Sequence, residues 1–299
     1  MTLQRLAFPA MLTGSAALAF GPWLVRLADV PPVASAFWRL ALAVPALGLL
    51  AVIARRRDDA PGPAVPARAV LAVVALAGVF FAIDLALWHL GIKRTTLANA
   101  TLMGNSASFI LPAYGFIVAR AWPGRAAAAA LLCAATGIVL LLGRSADVSA
   151  THLNGDLLCL GAGAFYALYF IAVDRVRAGV KPMTLLAVAT AVGAAALLPV
   201  VLGGTLVPHD WTPLILLALG SQVIGQGLII FAAGYLPPLV IGLTLLVQPA
   251  ISAVIGSLRF GEALAPIDLG GMALVALALV LVRLPGRAAR ATIESDRAR

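Results

Sequence analysis

The chain has 299 residues, of which 62% are hydrophobic and 11% charged, with a formal net charge of +9. A soluble domain carries about 25% charged residues, so this composition predicts an integral membrane protein and excludes a large soluble domain. The positive charge lies in short connections and in the tail after Arg283, which excludes a nucleic-acid footprint and suits contact with anionic lipid.

A membrane-crossing helix needs about 20 mostly apolar residues. Ten such runs are read in chain order: 6–27, 33–54, 70–91, 97–119, 126–143, 153–173, 183–203, 212–234, 238–258 and 264–282. They are too long and continuous for barrel strands, so helices are predicted. The first run exceeds the ~7–15 apolar residues of a cleaved leader and is read as a span. Cys133 and Cys159 fall within spans without metal-ligand spacing and read as small packing residues, not a disulfide. With the N-terminus inside, 15 of the 21 Lys and Arg fall on the cytoplasmic side and five outside, while Arg39 lies within the second span. This bias predicts that both termini are cytoplasmic.

A pattern recurs at an offset of 143 residues. Phe80–Ser108 aligns without a gap on Val223–Ile251, placing Gly91 on Gly234, Trp88 on Phe231, Thr101 on Thr244 and Asn105 on Gln248. A five-span repeat starts its second copy on the opposite side of the membrane. The expected fold is therefore all-α, with ten transmembrane helices in two inverted five-helix repeats, 1–147 and 148–299, the second carrying the basic tail. Inverted repeats build alternating-access transporters, with the substrate site at the repeat interface.

Polar residues at membrane depth face a cavity or a partner helix. Thr101, Asn105, Ser108 and Pro112 share one helical face, and Thr244, Gln248, Ser252 and Gly256 share another. Either stripe alone reads as hydrogen bonding between helices. The symmetric pair points to the lining of a central cavity. Pro249 frees the Leu245 carbonyl and is a hinge candidate, as is Pro112. Asp84 and Trp88 share a face of the third span. Two roles fit Asp84: a proton or substrate-ammonium site, or an ion pair with Arg39. His89 fits either a substrate contact or interfacial water. Tyr166 and Tyr169 lie too deep for interface anchors and supply an aromatic wall, while Gln222 and Gln226 give another polar face. Met103 reads as an adaptable wall residue or as packing.

The sequence lacks a phosphate-binding Gly-rich loop with its Lys, an HExxH helix and a nucleophile elbow. No metal, cofactor, nucleic acid or obligate protein partner is implied, and the expectation is a non-enzyme.

These features resemble the drug/metabolite transporter superfamily, and within it the EamA-type exporters. The resemblance rests on the two-half plan, Gly14–Ser15, Pro31–Pro32, Arg39 with Ala41, and AFYALYFIAVDR from Ala164 to Arg175. Gln248–Pro249, Gly261–Glu262 and Gly270–Gly271 complete it. The first half departs from this pattern, with Asn105–Ser106 opposite Gln248–Pro249 and Ala119 opposite Glu262. The resemblance implies export of small metabolites, often amino acids, across the bacterial inner membrane. The chain is most similar to the aromatic amino-acid exporters. The expected binding set is Trp88, His89, Thr101, Met103, Asn105, Ser108, Tyr166, Tyr169, Gln226, Thr244 and Gln248. The alternatives are a carrier of another small metabolite or drug with the same fold, and an intramembrane enzyme or sensor.

Overall fold

The computed structural model describes residues 2–56, 67–118, 120, 122–176, 180–233, 235–236, 244–245 and 247–281. Among the described residues the secondary structure is helical, with no strand. Eight helical segments are long and apolar enough to cross a membrane: Arg5–Leu27, Pro32–Ala54, Arg68–Ile92, Leu97–Val118, Arg125–Val148, Ala150–Val176, Pro182–Val201 and Thr212–Ala232. Two shorter helices follow, Val247–Phe260 and Pro266–Leu281, where the ninth and tenth spans are expected. Pro237–Pro238, Gly234, Ala119 and the tail from Arg283 lie outside the described residues.

Several crossings are broken for local reasons. The first comprises α1 (Thr2–Ala19) and α2 (Gly21–Leu27), because Pro22 cannot donate to the Leu18 carbonyl. The second comprises α3 (Pro32–Ala41) and α4 (Val44–Arg56), where Pro45 denies a donor to the Ala41 carbonyl. The third is one helix, α5 (Ala67–Ile92). The fourth comprises α6 (Leu97–Gly104) and α7 (Ala107–Val118). Its break is at Asn105–Ser106 and not at Pro112, which lies inside α7. The Ser106 amide bonds Met103 O at 3.0 Å, a tight turn, and Asn105 Nδ2 bonds Thr101 O at 3.0 Å. Asn and Ser side chains compete with the helical ladder and so favour such a turn.

Helices α8 (Arg125–Val148) and α9 (Ala150–Val176) run past the expected ends at 143 and 153. Ser149 alone separates them, and its hydroxyl accepts from the His152 amide at 3.1 Å as an N-cap. The next crossings are α10 (Pro182–Val201), then α11 (Thr212–Leu216), a π-helical stretch over Leu217–Gly225, and α12 (Gln226–Ala233). The π-helical stretch has no counterpart in the sequence reading. The last helices are α13 (Val247–Phe260) and α14 (Pro266–Leu281), and Pro249 lies in the first described turn of α13.

The core forms where small residues let helices approach closely. α5 packs most extensively on α9, α8 on α14, and α1 on α12 with the π-helical stretch. At the α8–α14 crossing, a Cβ on Gly137 would lie 2.7 Å from the Gly271 carbonyl oxygen.

One end of the bundle carries the connections 28–31, 93–96, 202–211 and 261–265. There the His209 and Asp210 amides donate to Asp29 Oδ2 at 2.7 and 3.3 Å, which holds that carboxyl below its usual range. Lys93 Nζ donates to the Arg26 and Ala28 carbonyls at 3.0 and 3.1 Å. Partial desolvation, and then the nearby Arg26 guanidinium, lower its pKa.

Asp156, fully buried in α9, binds this end together. It accepts from the Thr95 hydroxyl, from Asn99 Nδ2 at 3.1 Å and from Ser145 Oγ at 2.6 Å. It thus joins the 93–96 connection, α6, α8 and α9. Asp156→Leu is expected to cost on the order of 3 kcal/mol, because it strands three buried donors. The check is thermal unfolding in detergent, with Asp156→Asn less damaging because it keeps a carbonyl acceptor. Equal Tm values for Asp156→Leu and the parent protein would discard this role.

Candidate functional site

A cavity of about 520 Å³ lies among α1, α3, α5, α6, α7, α9, α12 and α13. Its wall follows each helix away from the 93–96 connection. It runs from Trp88 back to Phe81 on α5, from Thr101 to Leu111 on α6 and α7, and from Tyr166 to Phe170 on α9. On the second-half side it takes in Gln226 to Ile230 on α12, and Gln248 with Leu245. The cavity therefore lies about mid-bundle: its Leu18, Arg39 and α5 residues stand in the half nearer the 93–96 connection, and its α9, α12 and α13 residues in the farther half.

Of the residues singled out in the sequence, Arg39, Asp84, Trp88, Thr101, Asn105, Ser108, Tyr166, Tyr169, Gln226 and Gln248 come together in this wall. Three expected binding residues do not. Met103 is fully buried in an apolar cluster with Ile92, Leu97, Leu141 and Cys159. It stands two positions from Thr101, and two helical steps of about 100° turn it to the far side of α6. His89 is buried against α3, with Nδ1 2.8 Å from Ser35 Oγ, one helical step round from Trp88. Thr244 is buried outside the wall, which on this stretch presents Leu245 and Gln248, three residues apart. The hinge candidate Pro249 is outside the wall too.

The aromatic wall is a stack. The Tyr166 and Tyr169 rings are parallel within 4° at 5.8 Å, Phe81 lies 5.0 Å from Tyr169, and Phe170 meets Tyr166 edge-on at 4.7 Å. Gln226 Nε2 donates to the Tyr166 hydroxyl at 3.4 Å, linking α12 to α9. Trp88 is held by its indole N–H, which donates to Ala100 O at 3.0 Å. Thr101 has two duties. It borders the cavity, and its Oγ1 lies 2.9 Å from Ser252 Oγ, which joins α6 to α13. The interhelical reading of the polar stripes is thus realised at this pair, and Ser252 Oγ also lies 3.2 Å from Ala19 O of α1.

Arg39 and Asp84 both line the cavity, but no ion pair within 4.0 Å joins them. Arg39 Nε donates instead to Gln222 Oε1 at 3.2 Å. Gln222 sits in the π-helical stretch, and the sequence reading of a Gln222–Gln226 face stopped short of this contact. Phe81 and Phe170 were missed because an aromatic residue in an apolar run carries no mark of facing a cavity. Among the described residues no group of three or more His, Cys, Asp or Glu is placed to hold a metal ion.

At the 93–96 end the bundle is latched. Arg26 Nη1 meets Glu262 Oε1 at 2.5 Å, Arg26 Nε donates to Ile92 O at 3.1 Å, and Arg26 Nη2 donates to Thr95 O. Glu262 Oε2 accepts from the Leu97 amide at 2.9 Å, and the guanidinium lies 4.6 Å from the centre of the Phe260 ring. The latch joins the first half of the chain to the second.

A helical bundle with many membrane-crossing segments and an internal cavity lined by both halves is the build of a membrane transporter. The chain belongs to the EamA-like transporter family, whose model matches residues 6–143 and 153–284. It is a multi-pass membrane member of that family. Among curated proteins it is similar to the threonine/homoserine exporter RhtA of Escherichia coli and to that of Salmonella typhimurium. Both are 32% identical over 144 residues, covering 46% of this chain and 48% of theirs. An uncharacterized transporter of Archaeoglobus fulgidus is 28% identical over 175 residues, covering 58% of this chain and 59% of its own. The chain spans about half the length of the curated relatives it matches. A solved crystal structure at 20% identity superposes with a TM-score of 0.61, covering 96% of this chain and 98% of that one, and shares the fold.

Proposed function

We propose that this chain is a secondary exporter of small neutral amino acids, working by alternating access in the bacterial inner membrane. Ten spans form two inverted halves, 1–147 and 148–299, with both termini cytoplasmic. The observation that carries the reading is the cavity, in which aromatic rings, amides and hydroxyls from both halves converge at mid-bundle. The packing supports a two-fold relation between the halves. Exchanging the halves turns the third-with-sixth span pairing into the eighth-with-first pairing, and α5–α9 and α1–α12 are both major contacts. The latched end is the outer one in this orientation, so the arrangement is closed on that side and poised to load from the cytoplasm. The name of the RhtA relatives points to amino acids, and the rings of Tyr166, Tyr169, Phe81 and Phe170 add aromatic side chains to the range.

Counterflow into proteoliposomes tests this. Vesicles holding unlabelled neutral amino acids should accumulate labelled threonine or phenylalanine, saturably and above protein-free vesicles. Tyr166→Ala and Gln248→Leu are each expected to lower the uptake rate by about tenfold or more, since each removes a wall contact of about 1.4 kcal/mol or greater. Absence of flux for every neutral amino acid sinks the substrate assignment, and flux of another solute then favours the general metabolite or drug carrier. Chemical conversion of a solute without flux favours an intramembrane enzyme.

A further inference from the structure

The charged side chains in the cavity wall, among the described residues, are one cation and one anion. Arg39 is 1% exposed. Its Nε is bonded to Gln222 Oε1, and Gln222 Nε2 donates to Thr190 Oγ1 at 3.2 Å. Thr190 thus orients the Gln222 amide, and the amide oxygen orients the guanidinium plane. The Trp88 ring lies 5.5 Å from Arg39 Cζ and covers one face. Arg39 Nη1 is buried with no hydrogen-bond partner. Asp84 borders the same cavity, and its carboxylate makes no hydrogen bond to a described residue and no ion pair within 4.0 Å. A buried cationic N–H without an acceptor is costly, as is a buried carboxylate without a donor. A fold that holds both, and orients the cation through a three-residue chain, is incomplete without a solute carrying the two complementary charges.

We infer that Arg39 and Asp84 are the two poles of a zwitterion site, Arg39 taking the α-carboxylate of an amino acid and Asp84 its α-ammonium. The inference rests on the exporter reading and specifies which end of the substrate meets which residue. The planar guanidinium fork suits a carboxylate. The carboxylate of Asp84 accepts from an ammonium. The side chain of the solute then lies on the Tyr166–Tyr169–Phe81 stack. A solute with a single charge leaves the other pole buried and unpaired, so the site selects against amines and against simple acids.

The test is competition of labelled phenylalanine counterflow by unlabelled phenylalanine, by its amide and by its α-hydroxy acid, with the same set run for threonine. The amide lacks the carboxylate, and the hydroxy acid lacks the ammonium. Against the parent protein each analogue should compete at least about 30-fold more weakly than the amino acid, since buried partners are left unmatched. In Arg39→Met the preference for the amino acid over its amide should fall to within about threefold, while the preference over the hydroxy acid persists. Asp84→Asn should show the reverse. This crossed pattern distinguishes substrate contact from a purely structural role, whose loss would weaken all three competitors alike.

If Arg39→Met does not fold, Arg39→Lys and the parent protein's own competition profile serve. Arg39→Lys should retain a reduced preference for the acid over the amide. A parent protein that accepts amide and acid equally overturns the site but leaves the exporter reading intact. So does an Arg39→Met protein that keeps the full preference for the acid. A parent protein that moves neither amino acid overturns both.

Discussion

In Glu262→Leu the 93–96 end of the bundle is expected to open. Glu262 neutralises Arg26 at 2.5 Å and accepts from the Leu97 amide at 2.9 Å. Both side chains are largely withdrawn from solvent, at 15% and 12% exposure, so the pair is screened far less than a surface ion pair. Removing one partner leaves a mostly buried guanidinium uncompensated, at a cost of about 3 kcal/mol. That cost falls on the closed form alone, because opening exposes Arg26 to water. An equilibrium between closed and open forms then moves by about a hundredfold.

The readout is the rate at which a membrane-impermeant maleimide, added from the 93–96 side, labels a cysteine placed at Asn105 in a background lacking Cys133 and Cys159. Labelling should be slow with Glu262 intact and at least about tenfold faster in Glu262→Leu. Glu262→Gln should fall between, because its amide oxygen still serves the Leu97 N–H. Identical labelling rates in all three would show that the ion pair does not hold this end shut.

Gly91→Leu is expected to prevent assembly of the bundle. A Cβ at Gly91 would press into Cys159 Sγ and lie 2.7 Å from the Gly155 carbonyl oxygen. A Cβ on Gly155 would in turn lie 2.9 Å from the Arg94 backbone, so the two chains meet backbone to backbone with no room to yield. This is the α5–α9 crossing, the most extensive in the molecule, and it carries Asp84, Trp88, Tyr166 and Tyr169. Overpacking of this kind costs more than about 3 kcal/mol. Gly91→Leu should give an aggregated profile on size exclusion in detergent. Gly48→Ala, where the added carbon meets nothing within 4 Å, should run as a single peak with a Tm equal to the parent's or higher. A monodisperse, thermally normal Gly91→Leu protein would remove the close-contact argument.

Eight of the crossings were legible because an apolar run of about 20 residues has few other uses. Part of the site was legible for a related reason. Thr101, Asn105 and Ser108 are polar where polarity is costly, and their spacing puts them on one face; all three reached the cavity wall. The same reasoning failed at Met103 and His89. They neighbour wall residues in sequence, but each helical step of about 100° turns a side chain elsewhere, and only the partner helix decides which arc faces the cavity. At the fourth span the sequence pointed to Pro112 as the hinge, whereas the break came at Asn105–Ser106, where side chains compete for backbone hydrogen bonds.

Pairings between distant residues were not legible at all. Nothing in the sequence singles out Asp156, yet it accepts from partners on α6, α8 and the 93–96 connection. Arg26 with Glu262, and Arg39 with Gln222, join parts of the chain that only folding brings together. What the amino-acid order settled unaided was the solvent this chain must live in and its division into helices, because desolvation of side chains and peptide groups is a local cost that each segment meets alone. Which polar groups meet, which end is latched and where the cavity lies were decided by the packing of helices. Those outcomes depend on close approach at positions such as Gly91 and Gly137, whose opposing surfaces no single segment contains.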